Sequence, residues 1–298
     1  MGLTKFGRNY ILLVELQNGS VLTIQPPFTI EFDITRNILT SANVCSIRIY
    51  NLSQINRNQI EFNIYNQGSF RFVQLIAGYG NNLAVIFHGN ITQAWSVREG
   101  VNFITQIECY DGGYAYNNAI FNYSFPAGTS NQTIIETLVE TLGTYQIQKG
   151  AIGEYPGQTN RSKTYSGPTT QILSELTGGG FFIDNSFAHC LGNNECIQGS
   201  IPIVNSESGL LGTPVREQNI LTFDILFEPG IQAGQYIQLQ STTGAISTTQ
   251  TPNQGINGFY KITSVKHRGM ISEAVCGDVI TTLGMFSTEN LKIIPGVG

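Results

Sequence analysis

Apolar and polar residues alternate in short stretches along the first 112 residues, with turns rich in glycine and asparagine between them. A period of two places every second side chain on the same face of a pleated strand, so each stretch predicts a strand with one buried face. Short strands at this spacing favour a barrel or a sandwich. The predicted strands are YILLVEL, SVLTI, FTIEFDI, VCSIRIY, FVQLIAGY, LAVIFHG and FITQIECY.

The segment NVCSIRIYNLSQINRNQI changes from strand to helix within a few residues. Its first half places Cys45, Ile47 and Ile49 on one face, which we expect to be buried. Ser53 can then cap a helix by accepting from the free N–H groups of the first turn. The residue three positions later is neither Glu nor Gln, so the capping box is incomplete and the helix should be a short connector. Its expected apolar stripe is Leu52, Ile55 and Ile60.

Helical spacing enters after residue 112. Thr129 and Gln132 match the T-x-x-Q capping box, and apolar residues then recur every three or four positions until Gly143. A second helix is predicted from Pro168 to Gly178, because proline suits the first turn and glycine the position past the last. The apolar positions of the first helix are Ile134, Ile135, Leu138, Val139 and Leu142.

The segment FFIDNSFAHCLGNNECI then predicts a hairpin that turns at 192–194. Residues 113–208 hold three basic and seven acidic side chains, which is −4 of the total charge of −5. This mixture of helices and strands differs from the regions on either side. We therefore predict a small α+β domain at 113–208, inserted between β domains at 1–112 and 209–298.

The last region returns to strand patterns, in LTFDILF, QYIQLQ, GFYKITSV and ISEAVCGDVITTL. Between the second and third of these, the stretch from Ser241 to Asn257 contains no charged residue. A loop of this length is unusual inside a compact domain and is commonly functional or mobile. Its neutral side chains can be desolvated at low cost, and Ile246 and Ile256 add apolar anchors. We expect it to be mobile alone and to become ordered against a partner protein.

Charged residues make up 12% of the chain, against about 25% in a typical soluble domain. Such a surface suits either a protein covered by other subunits or a neutral secreted β protein. The net charge of −5, without a basic cluster, disfavours tight binding to nucleic acid. The N-terminal segment lacks a cleavage site for a signal peptidase, and no apolar run is long enough to span a membrane. We expect a chain made in the cytoplasm, with no membrane partner.

The residues that could carry chemistry are scattered. His88, His189 and His267 lie in separate regions, and no hydrolase, zincin or phosphate-loop motif is present. Cys190 and Cys196 flank a short turn beside His189, but two cysteines and one histidine with a five-residue gap are not a usual zinc spacing. We predict no enzyme, no metal and no cofactor, and leave open whether the two cysteines pair.

Several motifs, taken in order, resemble those of the baseplate hub proteins of contractile phage tails and related injection machines. IRIYNLS, LIAGYG, IFHGNI and ECYDGG resemble the first tube-type barrel of that family, and GFYKITSVKHRGM belongs to a segment similar to its second barrel. The matching positions are Arg57, Ile60, Pro229, Gly234, Tyr260, Val265, His267 and Gly269. The resemblance covers most of the chain.

The resemblance implies two tail-tube-like β-barrel domains flanking the α+β domain. It also implies a homotrimer whose six barrels form a ring in the virion, joining the six-fold tail tube protein to the three-fold central spike protein. The tape measure protein and other baseplate proteins are further possible partners, and DNA would pass through the lumen without specific binding. The expected interface residues are Asn51, Ser53, Ser241, Ile246, Pro252 and Ile256.

A different class of function stays open on the sequence alone. A receptor- or carbohydrate-binding tail component, such as a distal tail adaptor, would also be rich in β-structure. Tyrosine-rich segments such as DGGYAYNNAIFNY could stack on sugars. The same side chains would serve equally well in a core or at a subunit interface, which is the interpretation we favour.

Overall fold

The computed structural model describes residues 5–39, 41–61, 70–199, 203–217, 220–246, 256–273, 277–286 and 290–296. The protein is mainly β, as predicted, and its elements are given by the three predicted regions. The first region contains β1 (Arg8–Glu15), β2 (Val21–Ile24), β3 (Ile30–Asn37), β4 (Val44–Tyr50), α1 (Gln54–Ile60), β5 (Phe72–Tyr79), β6 (Asn82–Glu99) and β7 (Asn102–Tyr110).

The inserted region carries the other three α-helices of the described residues, together with short strands and a 3-10 turn at Leu142–Tyr145. Its elements are α2 (Gly113–Asn118), β8 (Ile120–Phe125), α3 (Asn131–Thr141), β9 (Gln148–Ile152), β10 (Lys163–Pro168), α4 (Thr169–Leu176), β11 (Phe181–Asp184), β12 (Phe187–Cys190), β13 (Glu195–Ile197) and β14 (Ile203–Val204). The third region contains β15 (Leu210–Glu217), β16 (Ile220–Leu226), β17 (Tyr236–Ser241), β18 (Ala245–Ile246), β19 (Ile256–Ile271), β20 (Val279–Phe286) and β21 (Lys292–Ile294).

The first and third regions share one hydrogen-bonded sheet. Its strand order is β18-β15-β16-β20-β19-β3-β4-β7-β6-β5-β1-β2, with β17 added beside β19 and β14 beside β17. The link is β19, which is sixteen residues long. Its first part pairs with β17, from Ile256 to Lys261, and its second part pairs with β3, from Ser264 to Ile271. One strand therefore belongs to both regions.

The core of the first region is completed by the third. Alternate residues of its strands form one buried cluster, as the predicted period of two requires. Phe227, Ile271 and Val279 of the third region belong to that same cluster. The predicted face of LTFDILF is confirmed as buried, but its last member, Phe227, packs into the first core and not with the other three.

Side chains, and not a continuous strand ladder, link β1 to the third region. Within the described residues the sheet is not a closed barrel, because no backbone pairing joins β1 or β2 to β19 or β20. The Lys5 ammonium instead lies 3.2 Å from the Glu228 carboxylate, and the Arg8 guanidinium donates to the Gly277 carbonyl. The division into two barrels at 1–112 and 209–298 stays a prediction.

The predicted helix beginnings are partly confirmed. Ser53 is the N-cap of α1 and accepts from the Asn56 N–H at 3.3 Å, as predicted. Within the stripe of this helix Ile55 was assigned wrongly, since it is 71% exposed. The capping box at Thr129 is also wrong: Ser130 caps α3, because its hydroxyl reaches the Thr133 N–H at 3.0 Å.

The predicted hairpin turns at a different place. β11 and β12 are joined by Asn185 and Ser186, and not at 192–194. Both residues have positive φ, 51° and 64°, which is the backbone of the two-residue turn that matches strand twist. Residues 192–194 lead instead into β13, which pairs with β21. The second predicted helix is confirmed as α4, with Pro168 at its N-cap.

No helix among the described residues combines the length and the apolar character needed to cross a bilayer.

Candidate assembly surfaces and the junction that positions them

A buried arginine ties the three regions together. Arg36 of β3 is fully buried, and its guanidinium lies 3.4 Å from the Asp184 carboxylate at the end of β11. The same guanidinium donates to the carbonyl of Ile231 in the third region. It also lies 3.2 Å from Nε2 of His267 on β19. We call Arg36, Asp184 and His267 the buried junction.

The hydrogen bonds of the junction fix the proton on His267. Arginine can only donate, so Nε2 of His267 accepts and the proton must lie on Nδ1. Nδ1 then donates to Thr281 Oγ1 at 2.9 Å, which also accepts from the Glu228 N–H at 3.1 Å. Burial and the Arg36 guanidinium hold the pKa of His267 well below its usual range. The imidazole is therefore neutral, and the junction contains one cation and one anion.

The first region holds the insertion through two further polar side chains. Asn43 donates to the Ile183 carbonyl at 2.9 Å and accepts from the Asn37 N–H at 2.9 Å. Asp111, fully buried, accepts from the Ser186 N–H at 2.9 Å through Oδ1, while Oδ2 has no partner among the described residues. Burial and the Asp184 carboxylate raise the pKa of Asp111 to about 8, so its carboxyl is largely protonated at neutral pH.

The third region holds the insertion through a buried lysine. Lys261 of β19 is 3% exposed and donates to the Gly192 carbonyl at 2.8 Å. Burial lowers the pKa of Lys261 to about 8. The nearby Glu195 carboxylate accepts from the Gly192 N–H at 2.8 Å and the Glu154 N–H at 3.0 Å, which orders the turn that covers the lysine. The insertion is thus packed against both β regions.

Asn51 ends β4 and starts the turn into α1. Its backbone has a positive φ of 60°, which asparagine tolerates better than most residues. Its N–H donates to the Phe103 carbonyl at 2.7 Å, and its side-chain oxygen accepts from the Phe103 N–H at 3.0 Å. The side-chain oxygen thus accepts the hydrogen bond that a strand carbonyl would otherwise accept. The backbone can therefore turn away from the sheet and enter the helix capped by Ser53.

A surface that the sequence analysis missed lies beside Asn51. The guanidinium of Arg57 stands 3.9 Å from the centre of the Phe103 ring, and that of Arg98 stands 5.6 Å from it. Phe103 is nevertheless 38% exposed, and Val101 in the adjoining turn is 88% exposed. We call Arg57, Arg98 and Phe103 the cation–aromatic patch. Two apolar residues just after Gly100, at a turn where polar residues are usual, were the signal for it.

The candidate residues of the uncharged loop lie at the other end of β19. Ser241 pairs directly with Ile256 across β17 and β19, and its hydroxyl donates to the Thr243 carbonyl at 2.7 Å. Ile256 is half-buried against the third-region core. Ile246 lies in β18, which runs parallel to β15. Pro252 lies outside the described residues.

The predicted interface residues therefore form two groups and not one. Ile271 at one end of β19 pairs with Ile30, which pairs with Ile49, two residues before Asn51. Ile256 stands at the opposite end of the same strand. Sixteen residues at about 3.3 Å each make β19 at most about 50 Å long, and the two groups lie at its opposite ends. We call the end with Asn51 and Ser53 the helix end, and the end with Ser241 and Ile256 the loop end.

The described cysteines do not form a reactive site. Cys45, Cys109, Cys190 and Cys196 are buried free thiols, and Cys276 lies outside the described residues. His189 accepts from the Ala151 N–H through Nδ1 and stacks on Phe182, and burial lowers its pKa to about 4. Within the described part of the chain, no three His, Cys, Asp or Glu side chains come together as metal ligands would.

The family model for the baseplate hub gp41 matches residues 11–268 of this chain. The chain belongs to the baseplate hub gp41 family. Members of this family are structural components of the phage tail baseplate, a class distinct from enzymes. No curated protein matches the sequence.

Solved structures share the fold at very low sequence identity. The 43 kDa tail protein of prophage MuSo2 from Shewanella oneidensis has a TM-score of 0.61 and 8% identity, over 97% of this chain and 99% of that chain. A tail protein from Neisseria meningitidis MC58 has a TM-score of 0.56 and 10% identity, over 96% and 98% of the two chains. The Escherichia coli c3393 protein, a component of the type VI secretion system, has a TM-score of 0.51 and 11% identity, over 95% and 79%.

Proposed function

We propose that this hub protein forms a homotrimeric ring with pseudo-six-fold symmetry in the virion. The ring joins the hexameric tail tube to the trimeric central spike and surrounds the channel through which DNA leaves. Its neighbours are the tail tube protein and the central spike protein, and the tape measure protein and other baseplate proteins touch it during assembly. The domains at 1–112 and 209–298 supply the six tube-like modules, and 113–208 lies between them.

The strand β19 is the observation that carries this proposal. Because it pairs with β17 in one half and with β3 in the other, the two β regions are held side by side in a fixed orientation. The buried junction fixes the insertion to these two β regions. A rigid pair of adjacent β modules is the unit that three copies need to make a ring of six.

The two ends of β19 suit two different neighbours. The helix end offers Asn51, Ser53 and the cation–aromatic patch, whereas the loop end offers Ile256 and the exposed Thr242 that follows the buried Ser241. A subunit that joins a tube to a spike needs two contact surfaces that face away from each other. We assign one end to each neighbour. DNA passes through without specific contacts, in keeping with a net charge of −5.

Mass measurement and electron microscopy of the purified chain test the ring. We expect a trimer whose averaged end-on view has six lobes around an open centre, and binding of the tube protein and the spike protein to opposite faces. Dimers, tetramers or both partners on one face would contradict the proposal. A chain that stays monomeric until the spike protein is added, and then forms the same trimer, would support it.

A carbohydrate-binding tail component is the alternative function. The observation that favours it is a groove of about 550 Å³ on the insertion, lined by Tyr155, Tyr165, Arg161 and Lys163 among other residues. Tyrosine rings beside basic side chains suit an acidic sugar. A glycan array separates the two functions: specific binding that is lost in Tyr165→Ala would favour the receptor role, and the hub role predicts no specific binding.

A further inference from the structure

The two-stranded ribbon β8–β10 in the insertion has a free edge. Within the described residues β8 pairs with β10 and β10 pairs with β8, and neither joins another sheet. Ile120 is 73% exposed, and Asn122 and Ser124 are exposed as well. A strand with an unpaired row of N–H and C=O groups is a template for a further strand.

The hydrogen-bond pattern tells which groups of β8 point outward. The Thr169 N–H donates to the Ala119 carbonyl at 2.9 Å, so these two residues form a hydrogen-bonded pair. Pairs of this kind alternate along an antiparallel ladder, which directs the backbone groups of Ile120, Asn122 and Ser124 away from β10. The Ser124 and Thr164 hydroxyls lie 2.7 Å apart, as expected for side chains of a non-hydrogen-bonded pair.

The outer edge of β8 lacks the features that protect other edges of this chain. Proteins blunt exposed edges with proline, with charged side chains or by keeping the strand very short. β8 is IFNYSF, six residues with neither proline nor charge. β10 contains Lys163 and Pro168, β2 has four residues and is soon followed by two prolines, and the edge strand β18 has only two residues.

We propose that the outer edge of β8 binds an extended segment of a partner protein as an added strand. The segment should lack charge over about six residues, since a charged side chain opposite Ile120, Asn122 or Ser124 would find no counter-charge on β8. Side chains of the bound segment would also continue the row formed by Phe121, Tyr123 and Phe125 on one face of the ribbon. Tyr123 is still 54% exposed, so an aromatic or aliphatic side chain could cover it.

A second copy of this chain is a poor occupant of the edge. The matching unprotected edge on another copy is β8 itself, and joining β8 to β8 requires a two-fold axis. Three copies around a three-fold axis do not contain such an axis. This step rests on the proposed trimer, whereas the free edge itself does not.

Two proline variants at one rung of the ribbon test the edge. Asn122 and Ser166 face each other across β8 and β10, and each directs its N–H away from the other strand. Asn122→Pro removes an outward N–H from the β8 edge, and Ser166→Pro does the same on the β10 edge. Equal far-ultraviolet circular dichroism and equal melting temperatures of the two full-length variants would establish that they are folded alike.

The probe is a synthetic peptide of six alternating Thr and Val residues with one Lys at each end for solubility. A peptide with proline at its two central positions is the control. We expect the probe to slow amide hydrogen exchange in Ile120–Phe125 by about tenfold in the wild type and in Ser166→Pro, but not in Asn122→Pro. The control peptide should protect none of the three.

Three results would overturn the proposal. Absence of protection at saturating probe, or equal loss in both proline variants, would mean that β8 accepts no strand. A wild-type dimer that Asn122→Pro converts to monomer would make the occupant a second copy. Because the exchange experiment reports on the edge whatever the number of subunits, its failure is distinguishable from failure of the trimer.

Discussion

The two β regions of this hub are built from similar strands but have different outer surfaces. On the first region, Arg48 lies 3.2 Å from Glu31 and 3.0 Å from Glu99, and the adjoining part of β19 adds the pair Lys266–Asp33 at 3.0 Å. On the third region, the outer face of β17 and the first half of β19 carries no exposed charge. We call this second surface the neutral face; it contains Ile203, Tyr236, Gln238, Gln240, Asn257 and Phe259.

The difference indicates which surface is covered on assembly. Removing paired charges from water is costly, whereas amide groups that find hydrogen bonds in the partner, and stacked rings, are buried at low cost. Tyr236 and Phe259 stack at 5.3 Å and Phe259 is still 50% exposed, so a neighbour can bury more of it. The neutral face adjoins the loop end through Gln240 and Asn257. We therefore expect it to be covered by a partner, and the ion pairs of the first region to stay in water.

The two regions also hold the insertion with titratable groups of different kinds, an acid and a base. The first uses the Asp111 carboxyl, whose pKa is raised, and the third uses the Lys261 ammonium, whose pKa is lowered. Both shifts have burial as their main cause. A buried acid and a buried base respond to pH in different ranges, so the two contacts can be tested separately.

Arg36→Ala is expected to have the largest effect on stability. It leaves the Asp184 carboxylate buried without its cation, which costs about 3–5 kcal/mol in comparable sites. Urea titration should give this loss in the free energy of unfolding. A loss below about 1 kcal/mol would mean that water enters the junction and that the regions are not held together there.

Asp111→Asn should change how stability depends on pH. The carboxyl loses its proton near pH 4 in the unfolded chain, but near pH 8 in the folded protein. Between these values the folded state binds the additional proton, so the free energy of unfolding falls as the pH rises, by about 3 kcal/mol from pH 5 to 7.5. Urea titrations across this range should show that slope in the wild type and its loss in Asp111→Asn.

Lys261→Met is the matched control for this experiment. The ammonium keeps its proton below about pH 8 in both states, so the slope between pH 5 and 7.5 should be that of the wild type. Above pH 8 the unfolded chain keeps a proton on Lys261 that the folded protein has lost. The free energy of unfolding of the wild type should therefore rise with pH in this range, whereas that of Lys261→Met should not. An unchanged slope in Asp111→Asn would show that this carboxyl is ionised in the folded protein.

Phe259→Ala should alter assembly far more than folding. The ring is half exposed and loses mainly its stacking on Tyr236, which amounts to about 1 kcal/mol. We expect the variant to fold and to fail in binding the neighbour at the loop end in a pull-down with tube and spike proteins. Phe103→Ala, at the helix end, should fail with the other neighbour. Loss of the same partner in both variants would contradict the assignment of one end to each.

Arg48→Ala should have the smallest effect. Its ion pairs are exposed, and pairs of this kind contribute about 0–1 kcal/mol and weaken as salt is added. Urea titrations at low and high salt should differ slightly for the wild type and by a smaller amount for the variant, which keeps the other exposed pairs such as Lys266–Asp33. Strong loss of assembly in Arg48→Ala would mean that the ion pairs of the first region lie in an interface. It would contradict the expectation that they stay in water.

Local chemistry accounts for what the sequence predicted well. The Ser53 cap, the buried face of β4 and helix α4 depend on neighbours within a few residues, and each was found where the pattern placed it. The turn at Asn185–Ser186 was missed because two left-handed residues other than glycine leave only a weak signal. Ile55 was misassigned because one turn of helix leaves the direction of the stripe undetermined.

Long-range pairing accounts for what the sequence could not predict. The segment GFYKITSVKHRGM does not show that its two halves pair with different strands, because apolar and polar residues alternate in the same way in both halves. The burial of Arg36 was also out of reach, since its partners Asp184 and His267 lie 148 and 231 residues away. The sequence pointed to neutral and turn-forming residues as the candidate interface. Only the strand register shows that these residues lie at two opposite ends of β19.

A strand that runs through both β regions has a mechanical consequence. In the proposed ring, the hub carries the load that passes between tube and spike. A load between Ile271 of β19 and Asn37 of β3, at opposite ends of their ladder, acts on that ladder in shear, so that eight residue pairs resist together and do not open one after another. In a single-molecule pulling experiment between Asn37 and Ile271, this ladder should yield at a higher force than the ribbon β8–β10 pulled open from one end.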